Sequence, residues 1–379
     1  MSARRSNGPG IVTQVFGSQW FVSVLAVLIA FAIGAILIAL SGASVLDAYY
    51  AMFRGSIVDP NAANAVRMIK PLTDSLFYSI PLIISGLGLA LGFRAGLFNI
   101  GGKGQIIVGA LAAVWVGFAV NLPPVLHTLV ALLVAVIAGG LYAGIAGVLK
   151  AKTGANEVIV TIMLNSIATL GLGYTLAQKA WQVPGTNQPV TPKVAESAAL
   201  ARLLPAPFKL HVGFLVALVA LVAFWWLIER STLGFQIRAV GANAAAARTA
   251  GISVERITAI TMVLSGAFLG LAGANEALGT IGYVSRDVAG SIGFDAITVA
   301  LLGRNKTWGT FGAGLLFGAF KAGGYTMQAK GVPIDIILIL QSVIVLLIAA
   351  PALVRWLFRL PDVRALAANT RKGNADEHK

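Results

Sequence analysis

The chain has no cysteine among its 379 residues and only three histidines, His127, His211 and His378. Disulfide frameworks, thiolate metal sites and cysteine nucleophiles are therefore excluded together. No HExxH pairing occurs, which argues against a zinc hydrolase. Charge is the second scarcity. Asp, Glu, Lys and Arg make up 11% of the residues, against roughly 25% in a soluble domain, and acidic groups are so few that the net charge is +14. Apolar residues fill the chain instead, with 58% hydrophobic content and a mean hydropathy of +0.85. That content excludes disorder, and long uncharged stretches exclude a soluble nucleic-acid binder. Apolar runs recur from end to end, so the sequence reads as one all-α polytopic membrane protein.

Apolar windows separated by breakers predict about ten transmembrane helices, near 20–41, 75–92, 105–121, 125–149, 158–178, 210–228, 257–279, 291–302, 309–327 and 334–354. The eighth is too short to cross alone. The first follows Arg4 and Arg5 and exceeds the roughly 7–15-residue core of a signal peptide, so it is read as a retained span. With the N-terminus inside, inner segments carry about twice the Lys and Arg of outer ones, which fits the positive-inside rule. Both termini are then cytoplasmic: a tail at 1–19, a membrane domain at 20–355 and a tail at 356–379. The basic residues after Arg355 read as a solvated tail, with contact to anionic membrane lipid as the alternative. Two outer segments are long, 43–74 and 179–209. The second holds Pro184, Pro189, Pro192, Pro205 and Pro207, which predicts a structured loop or short re-entrant element.

Glycine is abundant, at 43 residues. Small-xxx-small pairs occur at Gly88/Gly92, Gly140/Gly144, Gly266/Gly270 and Gly314/Gly318, the spacing that lets helix backbones approach closely in lipid. Gly140-Leu-x-x-Gly144 leading to Glu157 resembles Gly314-Leu-x-x-Gly318 leading to Asp335. The two copies run in opposite directions across the membrane, a hint of two inverted repeats.

Three segments concentrate the polar residues. Gly92–Gln105 holds four glycines within Gly96–Gly104, with Arg94, Lys103, Asn99 and Gln105. It is either a tight turn or a broken helix lining a pathway, because non-helical backbone at membrane depth needs protein or a water-filled cavity around it. Lys103 is followed by Gly104 rather than Ser or Thr, so this is no Walker A loop. In the second segment, Glu157, Thr161 and Asn165 recur at four-residue spacing along one helix face. That stripe meets either another helix or a solute. Asn275 and Glu276 raise the same question in the seventh span. The third segment, 229–256, is polar and alanine-rich. Asn243 predicts a helix N-cap and Gly251 a C-terminal cap around a short helix of roughly two turns.

At these segments the sequence resembles the permease subunit of a bacterial ABC importer, in the branched-chain amino acid and simple-sugar permease superfamily. Within it, Phe98-Asn-Ile-Gly-Gly-Lys-Gly-Gln105 is similar to the FNIGxxGQ signature of the nucleoside (guanosine-type) branch. Lys103 stands where that signature more often carries an acidic residue. The resemblance covers about residues 70–355. It implies a ten-helix fold with inverted repeats and a second homologous permease as partner. It also implies a separate cytoplasmic ABC ATPase that performs all ATP hydrolysis, and an extracytoplasmic substrate-binding lipoprotein. Under it, Asn99, Gln105, Asn165 and Asn275 become candidates for the substrate path, while Arg238, Gly241, Asn243, Arg248 and Gly251 become candidates for coupling to the ATPase. It implies no catalytic residue, metal, cofactor or nucleic-acid partner in this chain.

The solute expected is nucleoside-like, with ribose or another simple sugar as the alternative. Two further readings come from the residues alone. An ion-coupled secondary carrier would use Glu157, Glu276 or Asp295 as a relay. A membrane enzyme acting on a lipid-linked substrate is disfavoured by the scarcity of His, Cys and clustered intramembrane carboxylates.

Overall fold

A computed structural model describes residues 19–349, so the tails expected at 1–19 and 356–379 fall outside them apart from Gln19. In chain order the helices are α1 (Gln19–Leu40), α2 (Val45–Ser56), α3 (Ala65–Arg94), α4 (Gly102–Ala119), α5 (Leu126–Thr153), α6 (Glu157–Ala177) and α7 (Gly213–Arg230). There follow α8 (Thr232–Ala242), α9 (Ala244–Thr249), α10 (Val254–Asn275), α11 (Ile292–Leu302), α12 (Thr307–Gln328) and α13 (Ile334–Ala349). Among the described residues there is no β-strand, only an isolated bridge between Arg202 and His211.

Among the described residues, six helices are long and apolar enough to cross a membrane: α3 to α7 and the run Val254–Ile281. A seventh is counted if Val27–Leu40 and Val45–Ser56, bent by 120°, form one span. As expected, the eighth apolar run is short. The last expected span, 334–354, is described as far as Ala349. Two expectations change. The second span starts at Ala65 rather than 75, and α2 lies in what was read as an outer loop. Asn64 caps α3 by accepting the Arg67 N–H at 2.9 Å, and Lys70 pairs with Asp74 one turn on. These polar contacts carry the helix through a stretch that an apolar window does not detect.

The chain divides into two compact units, one formed by Met1–Tyr50 with Met327–Lys379, the other by Ala51–Thr326. In the first, α1 packs on α13. Gly34 leaves room there for the Tyr49 hydroxyl and Leu340, and that hydroxyl donates to the Phe31 carbonyl.

In the second unit α3 is buried on every side from Ser79 to Gly92. Such a helix is a centre, not a wall. The most extensive helix pair is α5 with α10, and glycines explain it. A Cβ on Gly139 would lie 2.5 Å from the Gly266 carbonyl oxygen and 2.6 Å from the Gly270 Cα. Gly140 and Gly144 likewise abut Val263, Gly88 abuts Phe268 and the Ser265 carbonyl, and Gly314 and Gly318 abut Ile83, Ser75 and Ser79 of α3. The spaced glycines found in the sequence are packing surfaces.

The segment 178–212 is a loop with one 3₁₀ turn, Lys179–Trp181. Backbone bonds tie it to the loop after α10: Thr191 N–H to Val284 O (3.0 Å), Val194 N–H to Gly282 O (3.0 Å) and Leu200 N–H to Leu278 O (3.1 Å). His211 closes it. Its Nδ1 accepts the Gly213 N–H at 3.1 Å, its ring meets Phe77 edge-on at 5.5 Å, and Nε2 is buried without a partner. Burial pushes its pKa down from 6.5 to about 4. The unfolded chain therefore takes up a proton near pH 6.5 that the folded chain resists until about pH 4. Stability from this group is fully present above pH 6.5 and is lost as pH falls toward 4, by roughly 3 kcal/mol at 1.36 kcal/mol per pH unit. The thermal midpoint in detergent should fall across that window, and His211→Gln should flatten the fall. An identical pH profile in the variant would contradict it.

Candidate functional site: a helix break tied to the polar helix pair

The break at 92–105 is built from local signals. Gly96 adopts a left-handed φ of +75°. The Gly96 N–H bonds to Phe93 O at 3.1 Å and the Leu97 N–H to Gly92 O at 2.9 Å. This is a Schellman stop, and glycine at its left-handed position is what permits it. The chain restarts as a helix at Gly102.

Between stop and restart, buried protein groups satisfy the free backbone. Asn99 is 1% exposed and central to them. Its Oδ1 accepts the Gly101 N–H at 2.9 Å and Gln105 Nε2 at 3.0 Å. Its Nδ2 donates to Gln105 Oε1 and to Ser265 Oγ, each at 3.0 Å. The stripe on α6 faces the same segment. Thr161 Oγ1 accepts the Ile100 N–H at 3.2 Å, Asn165 accepts the Gly104 N–H and donates to the Ile100 carbonyl, both at 2.8 Å, and Glu157 accepts the Phe98 N–H at 3.5 Å. Lys150 in turn pairs with Glu157. The stripe thus bonds to the backbone of the break.

Of the four path candidates, the structure gathers Asn99, Gln105 and Asn165 around the break. Asn275 stands apart at the end of α10, facing Gly213 beside His211, with both amide atoms buried and unpartnered. Next to the break a groove of ≈ 690 Å³ is lined by Lys103, Asn165, Ser166, Thr169 and Phe294, among others. The sequence reading passed over Ser265 and Ser166, because a lone serine in an apolar helix carries no local signal.

The five coupling candidates lie on α8 and α9. Asn243 ends α8 and caps α9, accepting the Ala246 N–H at 3.0 Å. Gly251, with φ +83°, closes α9 in a second Schellman stop, its N–H on Arg248 O and the Ile252 N–H on Ala247 O, both at 3.0 Å. The short helix is as expected. The eleven-residue α8 precedes it, where only the one short helix was expected. Its glycines are contact points: Gly234 faces the Leu227 carbonyl, and Gly241 faces the Arg94 carbonyl and Ala95 at the stop of α3. Arg94 reinforces the joint, its Nε donating to Asn305 O at 2.7 Å and its guanidinium lying 3.9 Å from Glu229. Glu229 also pairs with Arg238 at 3.0 Å, while Arg248 pairs with Glu255 at 2.7 Å. Helix α8 is therefore seated, through Gly241, directly on the helix stop that leads into the Asn99 network.

A membrane domain of packed helices, with a broken helix at its centre and a polar helix pair resting on the break, is the frame of a transport permease. Residues 72–349 match the family described as "Branched-chain amino acid transport system / permease component", and the chain belongs to that family. It is 40% identical over 349 residues to the guanosine ABC transporter permease protein NupP of Bacillus subtilis, covering 89% of this chain and 95% of that one. It is 35% identical to the glucose ABC transporter permease protein TsgB13 of Haloferax volcanii, over 85% of each chain. Against the nucleoside ABC transporter permease protein NupB of Lactococcus lactis the identity is 31%, over 92% and 95%. No solved structure matches the chain.

Proposed function

We propose that this chain is the membrane subunit of an ABC importer that moves nucleosides into a bacterial cell, driven by a separate ATPase. The observation that carries the mechanism is the seating of Gly241 on the Arg94–Ala95 stop. Force applied to α8 and α9 by a docked ATPase would pass through two backbones in contact to the Asn99–Gln105 network. From there it reaches the groove beside Lys103, Asn165 and Phe294. In this reading Asn99 and Gln105 hold the break in register, Asn165 both holds it and faces the path, and Asn275 offers the path an unpaired amide. Arg238, Gly241, Asn243, Arg248 and Gly251 form the coupling surface. Alternation between outward and inward access is then a rigid shift of packed helices around the break.

A second homologous permease completes the path. Helix α6 supports this, since only 22% of its most apolar window is buried and its outer face presents Ile159, Met163 and Leu170. An extracytoplasmic binding lipoprotein delivers the solute. The ten-segment topology, cytoplasmic termini and two inverted repeats belong to the same reading. The glycines of α5 pack on α10 while those of α12 pack on α3, the exchange of roles that an inverted repeat produces. Nucleosides are favoured over hexoses by the guanosine and nucleoside permeases above.

Uptake of guanosine by proteoliposomes holding the two permeases, the ATPase and the binding protein should require ATP. Uptake on a proton gradient alone would instead establish the ion-coupled carrier. Charge reversal tests the coupling surface. The pairs broken by Arg238→Glu and Arg248→Glu are exposed and worth about 0–1 kcal/mol each, so insertion and folding should survive. Co-purification of the ATPase should drop about tenfold, a loss of roughly 1.4 kcal/mol of association. Undiminished co-purification would remove α8 and α9 from the coupling role.

A further inference from the structure

Five polar side chains within Ala51–Thr326 play no part in the helix break, and they lie together. Lys321 sits near the middle of α12, about 21 Å along the helix from Thr307. Its Nζ lies 6.0 Å from the centroid of the Tyr78 ring on α3. Tyr78 faces Tyr325, one turn beyond Lys321, with ring centroids 5.4 Å apart and planes tilted by 39°. Two carboxylates, Glu276 and Asp295, lie in the electrostatic field of the Lys321 ammonium.

The arrangement is unlike a structural ion pair. Among the described residues, no salt bridge within 4.0 Å joins Lys321 to either carboxylate. Glu276 is held instead by Thr280, and Asp295 accepts from the Ser291 hydroxyl at 2.6 Å. Each carboxylate is held by a neighbour on its own turn, Lys321 stands against Tyr78, and all three residues are partly exposed. Charges kept separate at membrane depth need water or a solute between them. The backbone adds an independent sign, because Glu276–Ile281 is a π-helical turn, a distortion concentrated at functional sites. Tyr325 is 45% exposed, so the aromatic pair is reachable.

We propose that Lys321, Glu276, Asp295, Tyr78 and Tyr325 form a solute-contact station that selects a heteroaromatic ring bearing hydroxyl groups over a solute with hydroxyls alone. The inference rests on the nucleoside-importer reading and locates its selectivity within this chain. Tyrosine faces offer stacking to a planar base, which a hexose cannot use. The ammonium donates to ring carbonyl or imine acceptors, and the carboxylates accept from ribose hydroxyls and exocyclic N–H groups.

The absence of cysteine provides the test. Tyr325→Cys, in the complete transporter with binding protein, is exposed to a water-soluble methanethiosulfonate and labelling is read on this subunit. The thiol should react, and saturating guanosine should slow the reaction about fivefold or more while glucose leaves it unchanged, as expected where stacking separates the two. Lys321→Met should lower guanosine uptake about tenfold with ATPase co-purification intact. Labelling that guanosine does not slow, or that glucose slows equally, overturns the proposal. So does wild-type uptake by Lys321→Met. If Lys321→Met does not assemble, the protection result alone decides. Failure of the unmodified complex to import guanosine is the separate failure of the importer reading.

Discussion

Asn99→Leu should abolish transport and lower the thermal midpoint in detergent by an amount corresponding to several kcal/mol. Hydrogen bonds between membrane helices average only about 0.6 kcal/mol, because the unfolded helices find other partners. Loss of one bond would therefore be a small effect. The larger effect comes from what leucine leaves behind. The Gly101 N–H, Gln105 Oε1 and Gln105 Nε2 all have Asn99 as partner, and Asn99 and Gln105 are each 1% exposed. An orphaned buried polar group costs about 1–3 kcal/mol, and with the buried Ser265 hydroxyl four are created at one point. The break would relax toward another geometry, and Gly241 on the stop of α3 would no longer rest on a defined surface. Asn99→Asp keeps the acceptor for the Gly101 N–H but sets an acceptor against Gln105 Oε1, so an intermediate loss is expected. Wild-type uptake by Asn99→Leu would show that the network does not hold the pathway.

Gly270→Val carries the second large effect, on folding rather than on transport alone. Its Cβ would fall on the Ala135 carbonyl and lie 3.0 Å from the Gly139 Cα, while α4 packs Gly109 against the Gly270 Cα from another side. Overpacking a core with flexible side chains costs about 1–3 kcal/mol. Here the obstacles are backbone atoms of α5, which cannot rotate away, so α5 must move as a whole. Little monodisperse protein should be recovered. The control is Gly171→Ala, where nothing lies within 4 Å. That change should be neutral or slightly stabilising, because alanine favours helix by about 1 kcal/mol over glycine. Equal recovery and midpoints for the two variants would contradict the assignment of the Gly139–Gly270 approach as the keystone of this helix pair.

Much of this architecture was legible before any coordinates. Apolar runs placed most spans within a few residues, and the caps at Asn243 and Gly251 stand where their residue types predicted. The face shared by Glu157, Thr161 and Asn165 followed from four-residue spacing. The start of α3 was missed because its first turns hold Arg67, Lys70 and Asp74, which lower hydropathy without opposing a helix. Helix α8 was not predicted as a separate element. Gly234 and Gly241 each mark a point where another backbone comes close, which local sequence does not show.

The sequence by itself determined that this is a helical membrane protein and where most of its helices stop, while the permease family was read from a motif resemblance. The helical class and the helix stops depend on composition, period and capping, which act over a few neighbouring residues. Only the tertiary structure decided what each polar group faces. Asn99 finds Ser265, Arg94 finds Asn305 and Lys321 finds Tyr78 across well over a hundred residues of chain. A buried polar group in lipid must have a partner, but its identity is set by which helices pack together, and no local pattern encodes that.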